Sequence, residues 1–450
     1  MKISVIGLGK LGAVMAAVFA ERGHQIIGVD LNEAFVSAIN EGRSPVEEPG
    51  LAELIAKNRT RLRATGDAAA AVAETDATFI IVPTPSGDDG TFSLRHVLAA
   101  VEAIGGALRH KSGYHLVVLS STVMPGATGG EILPLLEASS GKTCGQDFGL
   151  CYNPEFIALG SVIRDMSRPD MLLIGESDQR AGTLLASVYE HVFENQPQVA
   201  RMNFVNAELA KLSVNTFVTT KISYANMLGE ICERLPGADV DEVTRALGLD
   251  SRIGPKYLQG ALGYGGPCFP RDNVAFARLA RNLGLEAVLA EATQKVNLLQ
   301  VPRLAALILS LLPEGGTVGI LGVSYKSSTN IVEESQGIAL ASHLLAEGVA
   351  VNIYDPAAME NAARALPLEN VCFRRSAAEC AGASQVVVIA TPWKEFQQLR
   401  PEHLNTSMGI PSVVDCWRIL DREKFESVAN YVTLGIGYAP GRAAAPAGRR

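Results

Sequence analysis

The segment GYGGPCFPRD, residues 263–272, sets a cysteine, Cys268, among three glycines and two prolines. Glycines at 263, 265 and 266 with prolines at 267 and 270 describe an irregular, sterically open loop. A thiol there reads in two ways. It is a nucleophile beside glycine-lined amides that hold an anion or oxyanion, or a structural thiol that fills a core. Asp272 follows four residues on, where a helix can begin and present its carboxylate near the sulfur. Lys211 and Asn215 are also four apart and share one helix face. Such a pair is either a solvated edge or an inward polar site. Glu155, in CYNPEF (151–156), follows a proline and reads as a base or as a cap of the next helix.

A second constellation opens the chain. KISVI (2–6) runs into GLGKLG (7–12), then a helix pattern to about Arg22, then HQIIGVD (24–30). A lone G-x-G-x-x-G is weak evidence, but here it follows a strand, opens a helix and is trailed by Asp30. In that context the glycines allow a tight turn and close backbone approach, and the helix N-terminus supports a pyrophosphate. Asp30 would accept hydrogen bonds from ribose hydroxyls and repel a 2′-phosphate, so NAD is expected over NADP.

The elements that position these residues follow from hydrophobic patterning. Buried strands are expected at 78–83, 115–120 and 171–174 besides the first two, giving a doubly wound α/β domain over 1–205. Residues 206–234 predict one long helix, with shorter ones at 239–247 and 272–283, in a helical segment 206–312. Strands at 317–323, 349–355, 384–390 and 411–417 place a second α/β sheet in 313–440, before a flexible tail, 441–450. Three domains agree with a length of 450 residues at roughly 150 per domain.

Composition excludes several classes. A net charge of −8 with no basic cluster argues against nucleic-acid binding. The apolar N-terminal stretch is interrupted by Gly7, Gly9, Lys10 and Gly12 and does not read as a signal peptide. No run of about twenty apolar residues occurs, so no membrane span is expected. Seven cysteines without a C-x-x-C point to a reducing cytoplasm, six as buried filler and Cys268 as the exception.

Taken together, the motifs resemble the nucleotide-sugar 6-dehydrogenases of the UDP-glucose/GDP-mannose dehydrogenase family. The resemblance rests on GLGKLG with VD, PVEEPGL (45–51), STVMPG (121–126), NPEF (153–156), AELAKLSVNTF (207–217), RIGPKYL (252–258), GYGGPCFPRD and LGVSYK (321–326). It implies two NAD-dependent hydride transfers that oxidise a sugar's 6-hydroxymethyl group to a carboxylate, without a metal. By matching position, Cys268 is implied as nucleophile, passing through a thiohemiacetal and a thioester. Lys211 and Asn215 are implied to stabilise charge on the sugar oxygen, Asp272 to assist proton transfer or orient water, and Glu155, with Thr122, to serve thioester hydrolysis. Gly7, Gly9, Leu11, Gly12, Asp30, Thr84 and Thr122 are implied at the cofactor. Lys211, Asn215, Arg252, Tyr257, Gly265, Lys326 and Arg418 are implied at the substrate, Arg252 at that of the partner in a homodimer formed through the long helix.

The chain also departs from the family pattern. Lys10-Leu11 replaces Tyr-Val, Phe35 stands where Arg or Lys is common, and Leu159 where a Glu is usual. Glu333, in STNIVEES, takes the position of an arginine beside the cofactor phosphates, which implies modest NAD affinity. Arg418, in DCWRIL, is one place from the expected arginine. The stretch 252–272 is more similar to UDP-glucose enzymes, and 140–156 resembles GDP-mannose enzymes as well. Pro267 replaces the histidine usual in the N-acetylhexosamine branch. UDP-glucose is therefore the expected substrate. A 3-hydroxyacid or 6-phosphogluconate type dehydrogenase, or a non-catalytic dinucleotide-binding regulator, would need neither Cys268 nor a second sheet.

Overall fold

The computed structural model describes residues 1–367 and 369–437, so the expected tail 441–450 lies outside the described residues. The chain forms two compact units, one from Met1 to Ser213 and one beginning at Val214.

In the first unit, β1 (Lys2–Ile6), β2 (Gln25–Val29), β3 (Leu62–Thr65), β4 (Ala77–Ile80), β5 (His115–Leu119), β6 (Phe148–Tyr152), β7 (Met171–Glu176) and β8 (Gln198–Met202) form one sheet. Its order is β3-β2-β1-β4-β5-β6-β7-β8. β6 and β7 pair antiparallel, and the other pairs are parallel. The helix Gly12–Glu21 is buried from Gly12 to Ala20, and its alanines let it lie close on the sheet. Phe19 meets Phe79 edge-on at 5.2 Å and Tyr189 at 5.6 Å, an aromatic cluster that pins this helix to β4 and to the helix Gln179–Tyr189.

The second unit holds β9 (Val318–Leu321), β10 (Val351–Tyr354), β11 (Val371–Phe373), β12 (Val386–Ile389), β13 (Ser412–Asp415) and β14 (Asn430–Thr433). All pair parallel in the order β11-β10-β9-β12-β13-β14. Both sheets thus share the doubly wound 3-2-1-4 centre. Leu262, Leu304, Ala305 and Ile308 of the helical segment share one core with Val318, Ile320, Ile353 and Val388. That common core joins the helical segment and the sheet in one compact unit.

The long helix runs Phe204–Arg234, two residues earlier than its periodicity predicts. Five strands escaped the pattern reading. β3, β8 and β11 are edge strands; β3 alternates buried and exposed residues and the other two bury none, so none shows a buried run. β14, the remaining edge, is four residues long. β6 is wholly buried, but its Gly149 and the turn-rich NPEF behind it masked the strand. A Cβ on Gly149 would lie 2.2 Å from the Tyr114 hydroxyl, so that glycine answers to packing.

The two sheets repeat one turn. Gly7 after β1 and Gly322 after β9 have φ of +97° and +98°, and each donates its N–H to the strand alongside, at Val29 and Tyr354. The acid ending the second strand differs in its duties. Asp355 is 1% exposed and accepts from Val323 N, Ser324 N and Oγ, Trp393 Nε1, Ala357 N and Ala358 N. Among the described residues Asp30 accepts from Leu8 N and Asn32 N.

His115 is fully buried in β5, with Nε2 2.8 Å from Thr78 Oγ1. Burial first, then the Lys111 charge, pushes its pKa down to about 3. Below the unfolded value of about 6.5 the unfolded chain takes up a proton that the folded chain refuses, so stability falls as pH falls. His115→Gln should remove up to about 1.4 kcal/mol per pH unit of that loss below pH ~6.5, read from urea midpoints of both proteins. Equal acid sensitivity in the two would refute this assignment.

Candidate active site

In the first unit the cofactor features lie at the ends of β1 and β2. A Cβ on Gly12 would sit 1.8 Å from Gly7 O and one on Gly7 would sit 2.2 Å from Ile81 O, so both must be glycine for the turn to close. Gly9 faces open space instead. The first turn of the helix Gly12–Glu21 carries no acid and no side-chain cap, and although Ala13 N donates to Gly9 O, no side chain competes with an anion for the positive helix end. Asp30 keeps acceptor capacity beyond its two backbone donors. Turn, open glycine, helix end and carboxylate together fit a dinucleotide. Thr84 donates to Thr122 O at 2.7 Å and links the two loops implied at the cofactor. Lys10 is exposed, while Phe35 and Leu159 are half-buried against the first core, so two of the departures are packing residues.

Glu155 leaves the end of β6 on a tethered backbone. Asn153 donates from Nδ2 to Leu173 O at 2.9 Å and accepts from the Tyr189 hydroxyl at 2.6 Å. Lys211, buried, donates its Nζ to Glu155 O at 2.7 Å and lies 4.7 Å from the Phe156 ring centre. The Lys-x-x-x-Asn face is therefore inward at Lys211. Burial pushes the Glu155 carboxyl up to about 7, with the Lys211 charge pulling the other way. Such a group switches protonation near neutrality, as a general base requires.

Two further carboxylates hold these loops and were invisible as isolated letters. Glu48 of PVEEPG accepts from Gly160 N at 2.9 Å and Val162 N at 2.8 Å, capping the helix that follows NPEF. Glu208, fully buried, accepts from Gly126 N at 2.6 Å and Thr128 N at 2.8 Å, anchoring the STVMPG turn. Their motifs, PVEEPGL and AELAK, were the available signal.

In the second unit Cys268 is exposed, at the N-cap of the helix Phe269–Asn282. The partial positive end of that helix favours a thiolate. The reading as a buried structural thiol is thereby removed. Of the other six cysteines only Cys151, Cys232, Cys380 and Cys416 are buried. Cys144 is half-buried and Cys372 is exposed on the edge strand β11, which corrects the expectation of six fillers. Burial pushes the Cys380 thiol up to about 12, as suits an inert residue.

Asp272 is fully buried, and its carboxylate accepts from Asn215 Nδ2 at 2.6 Å and from Arg271 at 2.9 and 3.0 Å. The glycines of the cysteine loop have a different duty from the one their number suggests. Gly266 donates its N–H to Glu333 O, and Cβ atoms on Gly265 and Gly266 would lie 2.1 Å from Glu334 O and 2.5 Å from the Tyr325 ring. They admit the segment after LGVSYK to close contact, so the Gly266 amide is not available to an anion. Glu333 itself is exposed.

The remaining expected residues spread over this unit. Tyr257 is 50% exposed, has φ +64° and meets Phe269 edge-on at 6.2 Å. Lys326 lies 5.8 Å from the Tyr325 ring centre. Arg252 is exposed and paired with Asp250. Arg418 holds Asp241 through two bonds of 2.7 and 2.8 Å and donates to Leu434 O, so its guanidinium ties the helix Val240–Leu249 to the second sheet. Among the described residues, no helix is long and apolar enough to cross a membrane.

Comparison with known proteins places both units in one family. The UDP-glucose/GDP-mannose dehydrogenase family matches in its NAD binding domain over residues 1–193, its central domain over 205–298 and its UDP binding domain over 319–422. A UDP-glucose 6-dehydrogenase of Haloferax volcanii is 38% identical over 428 residues, covering 94% of this chain and 98% of that protein. A GDP-mannose 6-dehydrogenase of Pseudomonas syringae pv. syringae is 36% identical over 359 residues, 79% of this chain and 81% of its own length. The structure of a UDP-glucose dehydrogenase from Pyrobaculum islandicum matches with a TM-score of 0.85 at 38% identity, over 97% of this chain and 98% of that one. With all three domains matched in order, this chain belongs to the UDP-glucose/GDP-mannose dehydrogenase family.

Proposed function

We propose that this protein oxidises the 6-hydroxymethyl group of UDP-glucose to the carboxylate of UDP-glucuronate, using two NAD per sugar. The observation that carries the reading is Cys268, exposed at a helix N-terminus in a chain that matches a UDP-glucose 6-dehydrogenase over 94% of its length. The match of residues 319–422 to the family's UDP binding domain supports the UDP sugar.

NAD, when bound, accepts one hydride in each of two oxidations. In the first, the alcohol loses a hydride from C6 and a proton from its hydroxyl, giving the aldehyde. The Cys268 thiolate adds to that carbonyl, and the thiohemiacetal loses a second hydride and proton to become a thioester. Water then cleaves the C–S bond, releasing the carboxylic acid and restoring the thiol. Lys211 and Asn215 stabilise negative charge on the sugar oxygen, and Asp272 orients water or moves its proton. Glu155, with Thr122, acts as base toward the hydrolytic water. Gly265, Tyr257 and Lys326 contact the substrate. Arg418, already engaged by Asp241, is left out of this set.

We also infer a homodimer through the helix Phe204–Arg234, with Arg252 reaching the partner's substrate. Val205, Leu209, Phe217, Tyr224, Met227 and Ile231 are all exposed along that helix. All seven cysteines lie outside disulfides, which suits a reducing cytoplasm.

Incubation with UDP-glucose and excess NAD should yield about two NADH per sugar, and Cys268→Ser should abolish the second oxidation. Full two-step turnover by that variant would sink the covalent route, and turnover of GDP-mannose alone would reassign the sugar. Because the Glu155 carboxyl is raised to about 7, the base is mostly protonated below that pH. Hydrolysis should rise about tenfold per pH unit below ~7 and level off above it. Glu155→Gln should flatten this profile and leave a sugar acyl group on Cys268, visible by intact mass. A wild-type hydrolysis rate independent of pH would take Glu155 out of the role.

A further inference from the structure

We propose that Asn226 and Asn297 are positioning residues for Cys268, two side-chain amides that clamp the loop carrying the nucleophile. Each amide offers one acceptor and one donor, the complement of a peptide's N–H and C=O. Asn226, on the helix Phe204–Arg234, accepts from Ala261 N at 2.9 Å and donates to Leu262 O at 2.9 Å. Asn297, on the helix Val288–Leu311, accepts from Tyr264 N at 2.7 Å and donates to Tyr264 O at 3.1 Å. Both asparagines are nearly fully buried, as are Ala261, Leu262 and Tyr264, so water is not an alternative partner for these peptide groups.

The clamp reaches the thiol through rigid contacts. The Tyr264 hydroxyl donates to Gln294 Oε1 at 2.8 Å, and its ring meets Phe269 edge-on at 6.4 Å, directly beside Cys268. Gln336 Nε2 also donates to Tyr264 O, at 3.3 Å. Gly263 belongs to the same device, because a Cβ there would lie 2.4 Å from Asn297 Oδ1 and displace the amide. A loop with glycines at 260, 263, 265 and 266 has little stiffness of its own. The two amides hold it instead, one on each side of Gly263.

The inference rests on Cys268 as nucleophile, and the test separates the two. Asn297→Asp keeps the shape but sets an acceptor against Tyr264 O, and Asn226→Ala removes the other clamp. Each should lower kcat about tenfold or more with NAD affinity unchanged, and should change the rate and pH profile of Cys268 alkylation by iodoacetamide. Gly263→Ala, which leaves both asparagines in place, should do the same. Wild-type kcat and wild-type alkylation in these variants would overturn the clamp. Where a variant does not fold, hydrogen exchange in the wild-type protein decides. Slow exchange at Ala261 and Tyr264 supports the clamp, and exchange at the rate of an open loop refutes it. Cys268→Ser with full turnover would refute the nucleophile alone, because alkylation and hydrogen exchange report on the loop independently of turnover.

Discussion

A peptide N–H or C=O buried without a partner costs roughly 1–3 kcal/mol, and this constraint shapes every functional loop of the protein. The loops proposed to carry the chemistry are not strands or helices, so no ladder satisfies them. Side chains do so instead. Asn153 ties the start of NPEF to β7, Glu48 caps the helix after it, and Glu208 gathers the amides of the STVMPG turn. Asn226 and Asn297 do the same for the cysteine loop. The polar residues buried here are mostly scaffolding for backbone.

The same rule sets the surroundings of two carboxyl groups, one in each unit. Glu155 sits on a backbone fixed by Asn153 and Lys211, and its own carboxyl has little compensation for burial, so its proton is held near neutrality. Asp272 is more deeply buried but accepts from Asn215 and Arg271.

Much of this was legible in the chain. Nine strands and the long helix follow from runs of apolar residues, and GLGKLG marked the tight turn between β1 and the first helix. Edge strands such as β8 and β11 were not, because a strand paired on one side and half exposed leaves no buried run. The glycines around Cys268 were misjudged for a related reason. A glycine signals close approach without saying of what, and here the neighbour is the distant segment 325–334. Glu208, Asn226 and Asn297 could not be read at all, since a single polar letter in an apolar helix looks the same whether it faces solvent or a buried peptide.

The acid at the end of β10 carries one more consequence. Six donors converge on Asp355, and Asp30 at the matching place in the first sheet receives two. One architecture thus appears twice with its best-known recognition point kept in one copy and sealed in the other. The Asp355 carboxylate is spent on its own loop, so a ligand reaching the end of β10 would find its acceptor sites already taken. The repeated turn is thus braced by its acid in one sheet and keeps an acid with spare acceptor sites in the other.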